Sequence, residues 1–468
     1  MNLWLFWWSF VKLLRPAFSR SSTFLWFALS VAATCIRPDL AGVTSMVRAL
    51  GLTGKCYPSL LGMFHSTAIN LDKLAQLWTQ IVMKLLASHI EYSGDRPVFL
   101  ADGIKISKTG RKMPGVKRLH QSSDNNNKAS FIFGHSCQAI SVLIRSGIRH
   151  VALPLRCMIH EGVIFNQEDT TLTLLDKLIN MTKSLDVTKS SILVADAYYT
   201  SAKIILPLLK MGWHLVSAAR MNAVAYKEPV APIKKRRGRP KIYGAKVSLR
   251  TLFEDESEFT EVSSPIYNEK GVVLRYRSIN LVWRPVARVI QFVLVSHPVR
   301  GKKIIVSTDV NMCPVEIIRL YGLRFKIEFS FKQALYVIGT YSYHFWMATM
   351  KRRQKTSGDQ DIRNEDEIYQ QKVERKIKAY HLYIQVGVIA QGLLQAIAIK
   401  YAELVWRYYG SWIRTIRPGV QPSEWVAALA LRNSLPEFLT GTGKEFTLAL
   451  FLHKRIDLSR SEGTKLVA

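Results

Sequence analysis

Two apolar runs, each carrying one aspartate, constrain this chain more than any other feature. The first is VFLADGIKI at 98–106, with Asp102 between Ala101 and Gly103. The second is SSILVADAYYTS at 190–201, where Asp196 closes the apolar part. Short apolar runs rich in β-branched residues and bounded by turn formers are buried strands. An ionised carboxylate inside or at the edge of such a strand costs several kcal/mol unless it is paired or binds a metal. Taken singly, each acid is also satisfied as an ordinary strand-end aspartate, capped by backbone amides or paired with Lys or Arg.

The surrounding pattern is mixed α/β. PVFLADGIKI, FIFGHSCQAISVLI and HVALPLRCMI are three strands. DTTLTLLDKLINMTKSL has a helical period with Asp169 or Thr170 as its cap. After the Asp196 strand, AKIILPLLKMG is a short helix stopped by Gly212, and WHLVSAARM is a further strand. Residues 227–304 interrupt this core as a β-rich, basic insertion, and 305–345 resume it with the segment that holds Glu328. Residues 1–92 are helical, with Asn70 as an N-cap. Residues 346–468 begin charged and continue as long apolar helices, either buried or packed on a partner. The division is therefore 1–92, 93–226, 227–304, 305–345 and 346–468, the first region a possible DNA-contacting module and the last a candidate for assembly.

Charge narrows the partner. Lys plus Arg is 65 against 34 for Asp plus Glu in 468 residues, a formal net charge of +31. An excess this large on a globular composition suits a polyanion, because phosphate binding releases counterions from nucleic acid. An anionic membrane surface is the other candidate. The five cysteines (Cys35, Cys56, Cys137, Cys157, Cys313) form no C-x-x-C pair, which argues against a zinc module and a disulfide framework and fits a reducing compartment. The apolar N-terminus includes a 16-residue run, 21–36. That is short of the roughly 20 residues a membrane span needs, so it reads as a buried helix. Lys12, Arg15 and Arg20 interrupt the stretch and argue against a secretory signal.

Within this basic chain Glu328 is isolated. It is the only acid in the 42 positions from Ile317 to Gly358, within YGLRFKIEFSFKQ. Arg324 lies four residues before it and Lys332 four after, so a helical salt bridge is its simplest reading. Tyr321, seven before, shares that face if the helix runs through Gly322. Set beside Asp102 and Asp196, Glu328 also completes a three-carboxylate set of the kind magnesium uses, since that ion is hard and takes oxygen ligands.

These residues carry a resemblance. Tyr321, Arg324 and Glu328 match a Y-x2-R-x3-E signature. VADAYYTS is similar to the Asp-Ala-x-Tyr that carries a second acid at a strand end, and LADGIKI to an Asp-Gly first acid. The sequence resembles an insertion-sequence DDE transposase over roughly 95–345. The 132 residues from Asp196 to Glu328 hold a β insertion, as in that group. The resemblance implies a ribonuclease-H-like mixed sheet interrupted by the insertion. It implies two magnesium or manganese ions on Asp102, Asp196 and Glu328, and double-stranded DNA at transposon ends and target. Water would release a 3′ hydroxyl that then attacks target DNA, as in cut-and-paste transposition. Tyr321, Arg324 and Lys332 would position the strand. A homodimer or larger synaptic complex and a cytoplasmic, nucleoid-associated location follow from the same likeness, with a membrane role disfavoured.

One position departs. Leu335 stands seven residues after Glu328, where the family places a lysine. Lys332, one turn nearer on the same face, is the available substitute. The alternative is therefore a catalytically impaired, transposase-derived DNA-binding protein. Separately, KKRRGRPK offers Arg236, Arg237, Arg239 and Lys241 to DNA, either in a narrow minor groove or on phosphates. The loop after the first strand (Lys105, Lys108, Arg111, Lys112, Lys117, Arg118) is a second backbone contact. Trp283 is a candidate base-stacking residue, or a sheet tryptophan.

Overall fold

The computed structural model describes residues 2–121, 129–229, 241–410, 419–441, 446–457 and 459. It is a mixed α/β protein built on one large sheet. Short β1 (Tyr92–Ser93) folds back on β2 (Arg96–Ser107), which runs antiparallel to β4 (Phe131–Ser146). β3 (Lys117–His120) and β5 (Arg149–Ile159) both pair antiparallel with β4. On the other side of β2 lie β7 (Ile192–Val194) and then β8 (His214–Ala219), both parallel to it. The central order is thus β5-β4-β2-β7-β8. Short β6 (Val163–Ile164) stands apart from this sheet.

The helices between the parallel strands form for local reasons. Leu174–Lys183 starts at Thr173, whose hydroxyl accepts from the Asp176 amide while the Asp176 carboxylate accepts from the Thr173 amide. The expected cap, Asp169 or Thr170, is instead part of a separate five-residue turn, Gln167–Thr171, capped by Asn166. Two capping boxes in a row split what the period alone joins. Ala202–Lys210 ends before Gly212, whose φ of +73° suits glycine. Asn70 caps Leu71–Leu85 through the Lys73 amide at 2.9 Å.

Further strands, from residue 224 to residue 307, extend the same sheet. β9 (Val224–Tyr226), β10 (Lys246–Ser248), β11 (Thr260–Ser263), β12 (Val273–Trp283) and β13 (Arg288–His297) lead to β14 (Gly301–Ser307), which pairs antiparallel with β8. The chain then enters helices Pro314–Leu323 and Lys326–Gln333. A last short strand, β15 (Gln360–Asp361), pairs with β6.

One 34-residue helix, Glu367–Lys400, packs on β5 and on helix Ser21–Ile36. It is long and apolar enough to cross a membrane, but 94 % of its most apolar window is buried inside the protein. Its polar residues have protein partners. The Gln385 amide donates to the Leu155 carbonyl at 3.0 Å, and that of Gln391 to the Ser330 carbonyl at 3.1 Å. The N-terminal aromatics join this core, with Trp4, Trp7 and Phe27 fully buried. Arg37 is buried at the end of Ser21–Ile36. Its guanidinium donates to the carbonyls of Ile338 and Gly339, the latter at 2.9 Å, and to the Tyr383 hydroxyl at 2.9 Å. The helical N-terminus therefore clamps the end of the segment that carries Glu328.

Candidate active site

The register of two parallel strands brings the aspartates together. β2 and β7 pair Val98 with Ile192, Phe99 with Leu193 and Leu100 with Val194. Two residues further on, Asp196 lies just past the end of β7, while Asp102 is in the middle of β2, which runs on to Ser107 beside β4. Strand spacing is about 4.8 Å. Past this point β2 is paired with β4 alone, so the sheet opens beside Asp102 where β7 ends, and the carboxyl ends of parallel strands are where open α/β sheets bind ligands.

Each carboxylate is held by its own backbone. Asp102 Oδ1 accepts from the Gly103 amide at 2.8 Å. Asp196 Oδ1 accepts from the Tyr198 amide at 2.8 Å and so caps the short turn Ala197–Tyr199, while the Asp196 carbonyl accepts from the Ser217 hydroxyl at 2.7 Å. The capped strand-end reading thus describes Asp196 and the cation-paired reading describes Asp102. Arg324 donates to Asp102 Oδ2 at 3.3 Å and pairs with Glu328 Oε1 at 2.9 Å. The Asp102 side chain is 17 % exposed, that of Glu328 55 %.

The salt bridge that spacing suggests for Glu328 therefore exists, and its cation also reaches the first strand. Burial pushes the Asp102 carboxyl up to about 6, against the pull of the Gly103 amide and Arg324, and the charges of Asp196 and Glu328 push the same way. Burial disfavours the Arg324 charge, but Glu328 and Asp102 outweigh it and hold the guanidinium above its ordinary value.

The helix under Glu328 is not continuous. Arg324 and Phe325 interrupt it, and the Arg324 amide bonds back three residues to the Tyr321 carbonyl at 3.1 Å. Tyr321 is half-buried, with the Lys303 ammonium 5.0 Å from its ring centre. Lys332 is exposed near the helix end. Leu335 is half-buried in a π-helical turn, Ala334–Ile338, that ends at Gly339 with φ +69°.

A groove of about 760 Å³ opens beside the aspartates. Its lining includes Asp102, Asp196, Tyr198, Tyr199, Gln138 and Glu161. Sequence reasoning quoted the two tyrosines only within VADAYYTS and missed Gln138 and Glu161. The Gln138 amide donates to the Tyr199 hydroxyl at 3.1 Å, and its carbonyl oxygen is 2.6 Å from His160 Nδ1. Burial lowers His160 to about 3, helped by the nearby cationic groups, so that ring is neutral at physiological pH. The one available signal was a glutamine inside the apolar run FIFGHSCQAISVLI.

The donor set suits a hard divalent ion, since it is entirely carboxylate oxygen. Among the described residues, however, no three His, Cys, Asp or Glu side chains stand close enough to hold an ion together. A guanidinium lies between Asp102 and Glu328 instead.

The proposed DNA contacts divide. Arg236, Arg237 and Arg239 lie outside the described residues, and Lys241 is exposed just after them. Three cations of the loop after β2 are spent on the protein itself, contrary to the reading of that loop as a DNA contact. Lys108 is buried and donates to the carbonyls of Tyr341 and Tyr343, Arg111 to that of Arg353 and Lys112 to that of Ala348. Lys117 pairs with Glu161 and Asp359 at 3.3 and 2.9 Å. Arg118 stays exposed, 3.7 Å from the Phe131 ring centre. Trp283 is half-buried at the end of β12.

Residues 133–339 match the family model described as the transposase DDE domain. Asp196, Tyr321, Arg324, Glu328 and Lys332 fall inside this match, and Asp102 precedes it. A solved structure, the piggyBac transposase synaptic complex with hairpin DNA, is similar at 12 % identity and a TM-score of 0.36, over 93 % of this chain and 75 % of that one. No curated protein matches the sequence.

Proposed function

We propose that the chain is a metal-dependent DNA transposase. It cleaves phosphodiester bonds at the ends of its element and joins the 3′ hydroxyl to target DNA, on a ribonuclease-H-like core. The supporting observation is that the register of adjacent parallel strands β2 and β7 brings Asp102 and Asp196 side by side, with Arg324 tying Asp102 to Glu328, in a chain whose central part matches the transposase DDE domain. The order β5-β4-β2-β7-β8 supports the core assignment.

Asp102, Asp196 and Glu328 would hold two magnesium or manganese ions, which when bound supply Lewis-acid charge at the attacking and leaving oxygens. The protein's share is positioning. The Gly103 and Tyr198 amides fix the two aspartates, and Arg324 with its planar fork suits a phosphate bidentately. Lys332 and Tyr321 would hold the same strand. Double-stranded DNA is the partner, and a dimer or larger assembly would bring two ends together.

The test is magnesium-dependent nicking of element-end DNA by the purified chain and by Asp102→Ala, Asp196→Ala and Glu328→Ala. Each variant is expected to lose nicking. Full nicking by any of them removes that residue from the site. The second reading, a DNA-binding protein without catalysis, is favoured by Leu335 in the lysine position. It predicts salt-sensitive DNA binding with no cleavage in any divalent ion.

A further inference from the structure

Arg324 occupies an unusual place for a residue assigned to DNA. Its two terminal nitrogens hold two of the three carboxylates, at 3.3 Å for Asp102 and 2.9 Å for Glu328. The contact with Asp102 spans 222 residues of sequence, so it ties the Glu328 segment to β2 through the fold and not through the local chain. A divalent ion draws on the same oxygen lone pairs, and it binds them directly at about 2.0–2.1 Å for magnesium. On Asp102 Oδ2 and Glu328 Oε1 the guanidinium opposes the ion, by its like positive charge and by occupying lone pairs. The same fork that fits two carboxylates also fits one phosphate, with comparable charge-assisted hydrogen bonds. Arg324 sits at the break between Pro314–Leu323 and Lys326–Gln333, outside either helix, where a side-chain swing disturbs no complete helical turn.

Resting on the proposed function, we infer that Arg324 is a positioning residue that makes metal binding depend on DNA. Without a backbone phosphate it bridges Asp102 and Glu328 and competes with the ion. A phosphate arriving in the groove takes the guanidinium, and the carboxylates are released to the ion. By linkage, DNA raises metal affinity and metal raises DNA affinity by the same factor. Divalent ions then load the site chiefly when a substrate strand is present, which limits stray hydrolysis.

The experiment measures Mn²⁺ binding by electron paramagnetic resonance on the full chain, with and without duplex DNA. It compares the wild type with Arg324→Gln and Arg324→Lys. Both variants are expected to bind Mn²⁺ alone on the order of tenfold more tightly than wild type, the equivalent of about 1.4 kcal/mol. Duplex DNA should tighten Mn²⁺ binding in the wild type and do so much less in the variants. The lysine variant keeps the charge and loses the fork. If it binds Mn²⁺ like wild type, local charge rather than bridging sets the affinity and the inference is overturned. Equal DNA enhancement in all three forms overturns it as well. Should the variants fail to fold, an unchanged wild-type Mn²⁺ affinity on adding DNA has the same force. A chain that shows no saturable Mn²⁺ site in any form, with DNA present, overturns the functional reading itself. Tight DNA-independent Mn²⁺ binding by the wild type overturns only the role of Arg324.

Discussion

Replacing Asp102 by asparagine should stabilise the protein while abolishing its proposed chemistry. Burial, reinforced by Asp196 and Glu328, raises this carboxyl from 3.8 to about 6 despite the Gly103 amide and Arg324. The folded protein then holds the proton more tightly than the unfolded chain. The stabilising contribution of the group is complete below pH 3.8 and is lost as pH rises through about 6. Each pH unit between those limits is worth about 1.4 kcal/mol, so the ionised carboxylate costs about 1 kcal/mol at pH 4.5 and about 3 kcal/mol at pH 7.5. With the side chain 17 % exposed, these are upper figures, because solvent screens part of the penalty. Asparagine keeps the shape and never ionises.

Urea unfolding in EDTA should show the Asp102→Asn variant gaining on wild type by about 2 kcal/mol between pH 4.5 and pH 7.5, whatever constant offset the amide brings. Magnesium added together with duplex DNA should narrow the gap by stabilising the wild type more than the variant. An advantage that is flat across this pH range, or that shrinks as pH rises, would refute the claim that Asp102 carries a buried and strained charge.

Four further outcomes follow from the supports around the site. Arg319 pairs with Glu91 at 2.7 Å and with Glu316, and His150 closes on the same buried Glu91 at 3.1 Å; Arg319→Met should cost about 3 kcal/mol or more in chemical denaturation, with part regained on adding Glu91→Gln. Burial alone would raise Glu91, but His150 and Arg319 outweigh it and lower the carboxyl, so its contribution should be present near neutrality and lost as pH falls, and a Glu91→Gln titration that shows no such loss would contradict this. Arg37→Ala strips donors from the Ile338 and Gly339 carbonyls and should cost about 2–3 kcal/mol, with DNA nicking falling more than DNA binding; equal loss of both would mean the clamp does not orient Glu328. A Cβ at Gly134 would sit 1.9 Å from the Ile106 carbonyl oxygen, so Gly134→Ala should separate β2 from β4 and cost at least about 1–3 kcal/mol, seen as early exchange of the β2 amides.

What the sequence makes legible at this site is local. The Asp102 and Asp196 strands are visible because strands are short apolar runs, and a parallel register carries an end-of-strand acid to its neighbour. The Arg324–Glu328 pair is visible because four residues make one helical turn. Contacts that cross the chain are not visible. Nothing near Lys108 in sequence says that it turns inward, because its partners are carbonyls of Tyr341 and Tyr343, more than 230 residues away. Arg37 reaches Gly339 across 302 residues, and no period or spacing encodes that. The split between Gln167–Thr171 and Leu174–Lys183 was hidden for a different reason, since two adjacent capping boxes cut a helical pattern without changing its apolar spacing.

The placement of β14 has a consequence for how the protein comes into being. This strand is the last of the insertion, pairs with β8, and hands the chain directly to the helices that bear Arg324 and Glu328. Glu328 therefore follows β14 in the chain, and the pairing of β14 with β8 anchors the segment that bears it to the sheet. A ribosome that has released Asp196 has made two acids and no site. A chain cut short before Arg324 leaves Asp102 beside Asp196 without the cation that pairs with it. If the proposed function holds, such fragments should be nuclease-silent.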